Sequence, residues 1–417
     1  MEKYIIQGGK RLEGTVRVSG SKNAALPLMA ASLLASGTTV LKNVPRLSDI
    51  KTMADLLRII GAKVYLEGNT LTIDTSTADY HEVPYELVKT MRASIVVMGP
   101  LLARLGRARV SRPGGCTLGL RPLDQHLKGF RALGVKIEEV HGYLNATVNG
   151  LRGGEIYFDE ASVTGTENVV MAAVKAKGKT VLINVAREPH VLDLLRFLQR
   201  MGAKIEGIGS DLLTIEGVEK LQPIEYVISP DYIEADTFLI AGAITGGDIL
   251  VEGSDWNASR FEIAKLQEAG IEVLRDDKGI RVKASSRPRP VDIKTLPFPG
   301  FPTDLQPQMT SLLTLAVGTS VIAETMYENR YTHIPELQRM GASIRKEDRN
   351  IVVEGVEKLS GAKVMASDIR AGAALVLAGL AAEGETHISR IYHLYRGYEA
   401  FSEKLRGLGA EIKKEEE

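Results

Sequence analysis

One pattern of hydrophobic and polar positions recurs six times along the chain. In each copy an amphipathic segment ends at a glycine and passes directly into a β-rich run: LLRIIGAKV (56–64), FRALGVKI (130–137), FLQRMGAKI (197–205), LQEAGIEV (266–273), LQRMGASI (337–344) and LRGLGAEI (405–412). Successive glycines are 68 to 73 residues apart. Because glycine enters the left-handed region without steric cost, each phrase predicts an amphipathic helix that ends at this glycine and leads into a strand.

Each copy also contains an earlier helix that is apolar on nearly every side. These segments are rich in small residues: NAALPLMAASLLASG (23–37), TMRASIVVMGPLLARLG (90–106), ENVVMAAVKAKG (167–178), ADTFLIAGAITGG (235–247), DLQPQMTSLLTLAVG (304–318) and RAGAALVLAGLAAEG (370–384). A helix without a polar face is expected to be buried. Strand-like runs surround both helices, so the repeating unit is predicted to be strand–helix–strand–helix–strand–strand, an α/β (α+β) arrangement.

The two ends of the chain indicate how the copies are grouped. The N-terminal run IIQGGKRLEGTVRV (5–18) resembles VVEGVEKLSGAKV (352–364), which follows the fifth phrase, whereas the sixth copy ends without such a segment. We therefore predict that residues 1–20 complete the sixth copy. One domain then spans 21–229 with copies 1–3. The other combines 1–20 with 230–417. The chain crosses between the domains twice, which permits hinge closure over a shared cleft, and we expect the active site in this cleft between them. A solenoid is the alternative, although solenoid periods are usually about 20–50 residues.

Composition restricts the possible functions. Lys+Arg and Asp+Glu both number 52 and aromatic residues make up 5 %, so a nucleic-acid-binding surface is not expected. No apolar run is long enough for membrane insertion, and the N-terminus lacks the apolar core of a signal peptide. A single cysteine permits no intramolecular disulfide, and no histidine pair has metal-ligand spacing. These features predict a cytoplasmic protein.

Three of the six buried helices begin with a cation, which opposes the helix dipole. Lys22, Arg92 and Arg370 lie in these first turns. A bound anion would explain the arrangement, because free N–H groups, the dipole and the cation then act together. The alternative is a side chain paired with a neighbouring carboxylate. A further candidate, His126, could be a general base, although a solvated histidine at a helix start is the preferred interpretation.

The only cysteine lies in SRPGGCTLGLRP (111–122). The glycines favour a loop over a core element, and the charges of Arg112 and Arg121 favour the thiolate of Cys116. We interpret this PGGC segment as a lid loop that carries a reactive thiol, although a small buried hydrophobe is the alternative.

Several stretches together resemble the bacterial UDP-N-acetylglucosamine 1-carboxyvinyltransferase family of enolpyruvyl transferases. The resemblance extends from about residue 3 to the C-terminus and rests on SGSKNAALPLMAASLL (19–34), KTMRASI (89–95), RPGGCTLGLRP (112–122), NVAREPH (184–190), FPTDLQPQ (301–308), ENRYTHIPEL (328–337), ASDIRAGAALVLAGL (366–380) and IYHLYRGYE (391–399). It implies a two-domain fold, each domain having three βαβαββ units with buried helices around a pseudo-threefold axis. It also implies transfer of the enolpyruvyl group of phosphoenolpyruvate to the 3-hydroxyl of UDP-N-acetylglucosamine. This reaction releases phosphate through a tetrahedral intermediate and is the first committed step of peptidoglycan precursor synthesis.

The resemblance also implies roles for particular residues, and it implies no cofactor and no metal. Catalytic roles fall to Cys116, the proton donor to C3 of phosphoenolpyruvate, to Asp304, the general base, and to Lys22 and Arg396. Further contacts to phosphoenolpyruvate or the intermediate are implied for Asn23, Arg92, Arg121, Arg330 and Arg370, with Glu188 and Asp368 in the surrounding polar network. Contacts to the nucleotide sugar are implied for Arg121, Pro122, Leu123, Asp124, Gln125, Ser162, Val163, Thr164, Asp304 and Met326.

Two positions depart from the family pattern, and two alternative functions remain. Thr164 stands where glycine is frequent, and Met326 where valine or isoleucine is common. The resemblance further implies that the epoxide fosfomycin alkylates Cys116. The alternatives are a transferase like 5-enolpyruvylshikimate-3-phosphate synthase, which uses shikimate 3-phosphate as acceptor, and a catalytically inactive homologue that binds a UDP-sugar.

Overall fold

The structure is a computed structural model that describes residues 2–112 and 123–416. The described chain divides into two compact units. The first, unit 1, contains the residues up to Ser19 and from Pro230 onward, and the second, unit 2, extends from Gly20 to Ser229. Among these residues every helix is too short or too polar to span a membrane.

Strands and helices alternate along the described chain. The strands are β1 Glu2–Gln7, β2 Glu13–Arg17, β3 Thr38–Lys42, β4 Lys63–Glu67, β5 Thr70–Asp74, β6 Glu82–Val83, β7 Arg107–Ser111, β8 Lys136–Val140, β9 Tyr143–Thr147, β10 Glu155–Tyr157, β11 Lys179–Ile183, β12 Lys204–Glu206, β13 Leu212–Glu216, β14 Glu225–Val227, β15 Asp248–Glu252, β16 Glu272–Asp276, β17 Gly279–Lys283, β18 Ile293–Lys294, β19 Thr319–Ala323, β20 Ser343–Glu347, β21 Asn350–Glu354, β22 Lys363–Met365, β23 Glu385–Ser389 and β24 Glu411–Glu416. The α-helices are α1 Lys22–Ala31, α2 Ser48–Ile60, α3 Tyr85–Val88, α4 Met98–Leu105, α5 Asp124–Ala132, α6 Val163–Ala173, α7 Pro189–Arg200, α8 Tyr232–Ile244, α9 Arg260–Glu268, α10 Gln306–Leu313, α11 Ile334–Arg339, α12 Ile369–Ala381 and α13 Phe401–Gly407. Short 3-10 segments cover Ser32–Leu34, Arg92–Val97, Thr303–Leu305 and Ile391–Arg396.

The strands of the described chain form six four-stranded sheets, three in each unit. Unit 2 contains the orders β14-β3-β5-β4, β6-β7-β9-β8 and β10-β11-β13-β12, and unit 1 contains β16-β17-β15-β2, β18-β19-β21-β20 and β22-β23-β1-β24. Each sheet has one parallel pair, as at β3 and β14, and its other pairs are antiparallel. Because a parallel pair needs a crossover, this pattern is the one expected for a βαβαββ unit, and the predicted repeat is confirmed.

The N-terminal strands join two different sheets of unit 1. Strand β1 lies between β23 and β24, with Ile6 opposite Thr386 on one side and Ile412 on the other. It therefore completes the sixth copy, as the sequence predicts. Strand β2 instead runs parallel to β15 in the sheet of the fourth copy, so the prediction that all of residues 1–20 complete the sixth copy is wrong for this strand. The chain changes direction between the two strands at Gly9, whose φ is 83°.

The helices predicted to be apolar on all sides form the interior of each unit. All thirteen residues of α8 are buried, as are most of α12, and α8, α10 and α12 pack against one another. Small residues permit this packing: a Cβ placed on Gly99 of α4 would lie 2.1 Å from the carbonyl oxygen of Asn168 on α6. The predicted single helices over 90–106 and 304–318 each begin as a 3-10 segment, over Arg92–Val97 and Thr303–Leu305.

The repeated glycines adopt the conformation that the sequence predicts. All six have φ between 85° and 108°: Gly61, Gly134, Gly202, Gly270, Gly341 and Gly409. At Gly61 there is also no room for a side chain, because an added Cβ would lie 2.8 Å from the carbonyl oxygen of Thr77. These glycines end the amphipathic helices of the repeat.

Two acidic side chains are buried between α8 and α9 of unit 1, and they make stability depend on pH. Burial raises the pKa of Glu262 to about 8, and burial, followed by the charge of Glu262, raises the pKa of Asp236 well above its ordinary value. The folded state therefore holds these protons more tightly than the unfolded chain. We expect the free energy of unfolding to fall as pH rises from about 4.5 to about 8, by up to about 1.4 kcal/mol per pH unit for each group.

Urea unfolding between pH 5 and pH 9 checks this expectation. The variant Glu262→Gln should flatten the decline, and Glu268→Gln, which alters an exposed carboxylate at the end of the same helix, should leave it unchanged. If the free energy of unfolding fell equally steeply with pH in the wild type and in Glu262→Gln, the decline could not be assigned to Glu262.

Candidate active site

In unit 1 a carboxylate is held between two buried arginines. The Nη1 atom of Arg330 lies 2.5 Å from Oδ1 of Asp304, and the Nη2 and Nε atoms of Arg370 lie 2.8 Å and 3.2 Å from Oδ2. Each carboxylate oxygen is therefore bound by a different guanidinium. The structure thus brings together three of the residues that the sequence assigns to the site.

Electrostatics keep this carboxylate ionised. Burial alone would raise the pKa of Asp304, but the charges of Arg370 and Arg330 outweigh it and hold the pKa well below its ordinary value. For Arg370, burial alone would lower the pKa, but the charge of Asp304 outweighs this effect and raises the pKa above its ordinary value. A carboxylate in this state has little affinity for a proton, so a general-base role requires that one arginine contact weakens first.

The start of α12 places Arg370 in this cluster. Asp368 caps the helix, because its Oδ1 accepts hydrogen bonds from the backbone N–H groups of Arg370 at 2.9 Å and Ala371 at 3.0 Å. Its Oδ2 accepts a hydrogen bond from Oγ1 of Thr332 at 2.9 Å. The two carboxylates, of Asp304 and Asp368, offset the cost of a cation in the first turn of a helix.

A buried tyrosine that the sequence interpretation missed lies beside Arg370. The guanidinium carbon of Arg370 is 5.5 Å from the ring centroid of Tyr398, within the range of a cation–π contact. The hydroxyl of Tyr398 lies 3.0 Å from Oγ1 of Thr237 on α8 and accepts a hydrogen bond from Nε2 of Gln308 on α10 at 3.1 Å. The phrase IYHLYRGYE contains this tyrosine, but the sequence does not reveal which of its three tyrosines is buried.

Two other predicted residues of unit 1 lie on separate segments. Met326 is exposed on the loop that follows β19, and Arg396 ends the 3-10 segment Ile391–Arg396, where it is half-buried. The backbone N–H of Met326 donates a 2.8 Å hydrogen bond to Oε1 of Glu324.

In unit 2 the first cation of the sequence pattern is paired with a carboxylate. Lys22 is the first residue of α1, which Ser21 caps by accepting a hydrogen bond from the N–H of Ala24 at 3.3 Å. The Nζ of Lys22 lies 3.0 Å from Oδ2 of Asp49 on α2, and both side chains are buried. Asn23 follows on the same turn and is half-buried. For Lys22 and Arg370 the carboxylate partner that the sequence leaves as an alternative is therefore present.

Six of the residues assigned to the nucleotide sugar lie at the starts of two neighbouring helices. Leu123, Asp124 and Gln125 begin α5, and Ser162, Val163 and Thr164 begin α6. The Nε2 of His126 on α5 lies 3.1 Å from Oγ1 of Thr164, which joins the two helix starts directly. Ser162 caps α6 by accepting a hydrogen bond from the N–H of Gly165 at 3.2 Å.

His126 is not the solvated histidine that the sequence suggests. It is 2 % exposed, and burial lowers its pKa to about 4. The Nδ2 of Asn168 lies 3.0 Å from its Nδ1 and can only donate, so Nδ1 accepts this hydrogen bond and the N–H at Nε2 donates a hydrogen bond to Oγ1 of Thr164. A histidine with such a pKa is neutral at pH 7, and it serves here to hold Thr164.

The remaining predicted residues fall into two groups. Arg92 is the first residue of the 3-10 segment Arg92–Val97, and Glu188 immediately precedes α7. Burial, and to a smaller extent the charge of Glu188, raises the pKa of Glu167, which is buried on α6. Cys116, Arg121 and Pro122, together with the predicted PGGC lid, lie outside the described residues.

Comparison with known proteins identifies the family. A family model for EPSP synthase (3-phosphoshikimate 1-carboxyvinyltransferase) matches residues 6–405. Proteins named UDP-N-acetylglucosamine 1-carboxyvinyltransferase are similar over the full length: that of Trichlorobacter lovleyi is 54 % identical over 99 % of both chains, and that of an Anaeromyxobacter species is 54 % identical over 100 % of both. The chain therefore belongs to the enolpyruvyl transferase family.

Solved structures agree with this assignment. The enolpyruvyl transferase NikO of Streptomyces tendae covers 99 % of both chains with a TM-score of 0.89 and 28 % identity. EPSP synthase of Acinetobacter baumannii has a TM-score of 0.78 with 100 % coverage of both chains, and at 19 % identity it supports the fold alone. The family and the fold class predicted from the sequence are thus confirmed.

Proposed function

We propose that this chain transfers the enolpyruvyl group of phosphoenolpyruvate to the 3-hydroxyl of UDP-N-acetylglucosamine and releases phosphate. The observation that carries the proposal is the 54 % identity over the full length to relatives named for this reaction, set against 19 % identity to an EPSP synthase structure. As a step in peptidoglycan precursor synthesis, the reaction would take place in the cytoplasm.

The cation clusters suit a substrate that carries both a phosphate and a carboxylate. In this proposal Lys22, Arg92, Arg370 and Arg396, with Arg121, bind phosphoenolpyruvate, because arginine makes bidentate contacts to such groups. The ion pairs of Lys22 with Asp49 and of Arg370 with Asp304 hold these cations in place before the substrate binds.

In the addition step the 3-oxygen of the sugar forms a bond to C2 of phosphoenolpyruvate while C3 gains a proton. Asp304 takes the hydroxyl proton, and Cys116 supplies the proton to C3. Binding of the substrate anion to Arg370 would compete with Asp304 for that guanidinium and so raise the proton affinity of Asp304 when a base is needed. In the elimination step the bond from C2 to the phosphate oxygen breaks, and C3 loses a proton to restore the double bond.

The nucleotide sugar would contact the starts of α5 and α6 and the loop that carries Met326. Thr164 fits this role because its hydroxyl accepts a hydrogen bond from a neutral His126 and retains its own proton for a ligand. A threonine at this position therefore adds a donor that the glycine frequent in the family lacks.

Phosphate release with two acceptors tests the proposal. With phosphoenolpyruvate present, UDP-N-acetylglucosamine should support continuous release and shikimate 3-phosphate should not. Fosfomycin should stop the release and add to Cys116, as intact-mass and peptide mass spectrometry would detect. Release with shikimate 3-phosphate alone would overturn the proposal in favour of the EPSP synthase activity. Tight binding of the UDP-sugar without release would indicate an inactive homologue.

A further inference from the structure

Glu324 is a buried carboxylate that the sequence interpretation does not assign to the site. It follows β19 directly, is 1 % exposed, and its backbone N–H donates to the carbonyl oxygen of Arg349 at 2.9 Å. A buried carboxylate is costly unless hydrogen-bond donors surround it, so its contacts reveal what it stabilises.

Four donors converge on the two oxygens of Glu324. Its Oε1 accepts hydrogen bonds from the backbone N–H groups of Met326 at 2.8 Å and Tyr327 at 3.1 Å, and from Oγ1 of Thr295 at 2.9 Å. Its Oε2 accepts one from Oγ1 of Thr303 at 2.9 Å. One carboxylate thereby joins the loop after β19 to the 3-10 segment that contains Asp304.

Thr303 continues this connection to the arginine of the site. A hydroxyl has a single proton, which Thr303 donates to Glu324, so its lone pairs face Arg330, whose Nη1 donates to them at 3.1 Å. The same Nη1 lies 2.5 Å from Oδ1 of Asp304. The ring of Tyr327, whose N–H Glu324 also fixes, lies 4.8 Å from the guanidinium carbon of Arg330.

We infer that Glu324 is a positioning residue that sets the geometry of Asp304 and Arg330 through Thr303. Through the backbone of Met326 it also fixes the loop after β19 relative to these two residues. The inference rests on the proposed function, in which Asp304 and Met326 contact the nucleotide sugar. The role is to orient other groups, since no contact of Glu324 with the reacting atoms is involved.

The variant Glu324→Gln tests this role with almost no change in volume. An amide offers one acceptor oxygen, so its NH2 group must face either the three donors at Oε1 or the hydroxyl of Thr303. In the less costly orientation Thr303 turns to accept from the amide, so its charge-assisted hydrogen bond to a carboxylate is replaced by a weaker neutral one and its hydroxyl is reoriented beside Arg330. The variant therefore weakens the connection to Arg330.

Steady-state kinetics well below the unfolding temperature give the decisive result. We expect Glu324→Gln to lower kcat/KM for UDP-N-acetylglucosamine by tenfold to a hundredfold, with an increase in KM for that substrate and a change of less than about twofold in KM for phosphoenolpyruvate. Glu354→Gln, which alters an exposed carboxylate on the neighbouring strand β21, serves as the matched control and should retain wild-type constants.

A double-mutant cycle with Thr303→Val keeps the inference testable if Glu324→Gln folds poorly. Thr303→Val alone should also lower kcat/KM, and the double variant should be no worse than Glu324→Gln, because both changes remove one connection. A lower unfolding temperature with wild-type kinetic constants, or effects of the two changes that multiply, would overturn the inference. An inactive wild-type protein would overturn the proposed function instead.

Discussion

Replacing Arg370 by methionine should lower kcat/KM for phosphoenolpyruvate by about a hundredfold or more, because removing one partner of a buried charge pair costs about 2–5 kcal/mol. Arg370 is 6 % exposed and binds Oδ2 of Asp304 through two nitrogens. In the proposed reaction it also binds the substrate anion, so its loss removes a cation that both groups need. The kinetic constants for both substrates, measured for the pure variant, check this result.

Two further measurements separate the contributions of Arg370. Arg370→Lys keeps the charge without the planar fork, so it should be intermediate between the wild type and the methionine variant. The pKa of Asp304 should rise in Arg370→Met, since the charge of Arg370 lowers this pKa more than the charge of Arg330 does. The acid limb of the rate–pH profile would then move to higher pH. Unchanged kinetics in Arg370→Met would exclude Arg370 from the site.

Replacing Lys22 by methionine should abolish turnover and also destabilise the fold. The side chains of Lys22 and Asp49 are 11 % and 6 % exposed and their charged atoms are 3.0 Å apart. Removing the cation leaves the carboxylate of Asp49 buried without the charge of Lys22. Removing one partner of a buried ion pair lowers the free energy of unfolding by about 3–5 kcal/mol. Urea unfolding measures the loss of stability, and phosphate release measures the loss of activity.

A compensating change distinguishes the structural role of Lys22 from its chemical role. In the double variant Lys22→Met with Asp49→Asn no buried charge remains at the pair, so stability should recover most of its loss while turnover stays absent. Recovery of turnover together with stability would contradict a role of Lys22 in substrate binding or catalysis.

Local sequence signals predicted the elements of the fold and their order. The six glycines and the six apolar helices are determined by short-range rules, a left-handed C′ position and an apolar surface on every side, so they could be recognised without a structure. The sheet to which β2 belongs could not be predicted in this way. Its partner β15 is more than two hundred residues away along the chain, so no short-range rule indicates this pairing.

The candidate site was predictable where charge and helix position conflict. Lys22 and Arg370 are recognisable in the sequence because a cation in the first turn opposes the helix dipole, and in the structure each has a carboxylate beside it. The residues that hold the site carried no such signal. Glu324 stands in a loop like many solvated glutamates, and the hydrogen-bond partner of the His126 Nδ1, Asn168, is 42 residues away along the chain. Such positions are recognised only when tertiary packing shows which polar groups are enclosed.

The most direct test of the proposed function is the chemical identity of the product. Incubation with phosphoenolpyruvate and UDP-N-acetylglucosamine, followed by mass spectrometry and proton NMR, should show a UDP-sugar that has gained one enolpyruvyl group in an ether bond at the 3-oxygen, with one phosphate released per product molecule. Recovery of unmodified UDP-N-acetylglucosamine, under conditions in which shikimate 3-phosphate is converted to its enolpyruvyl ether, would contradict the account.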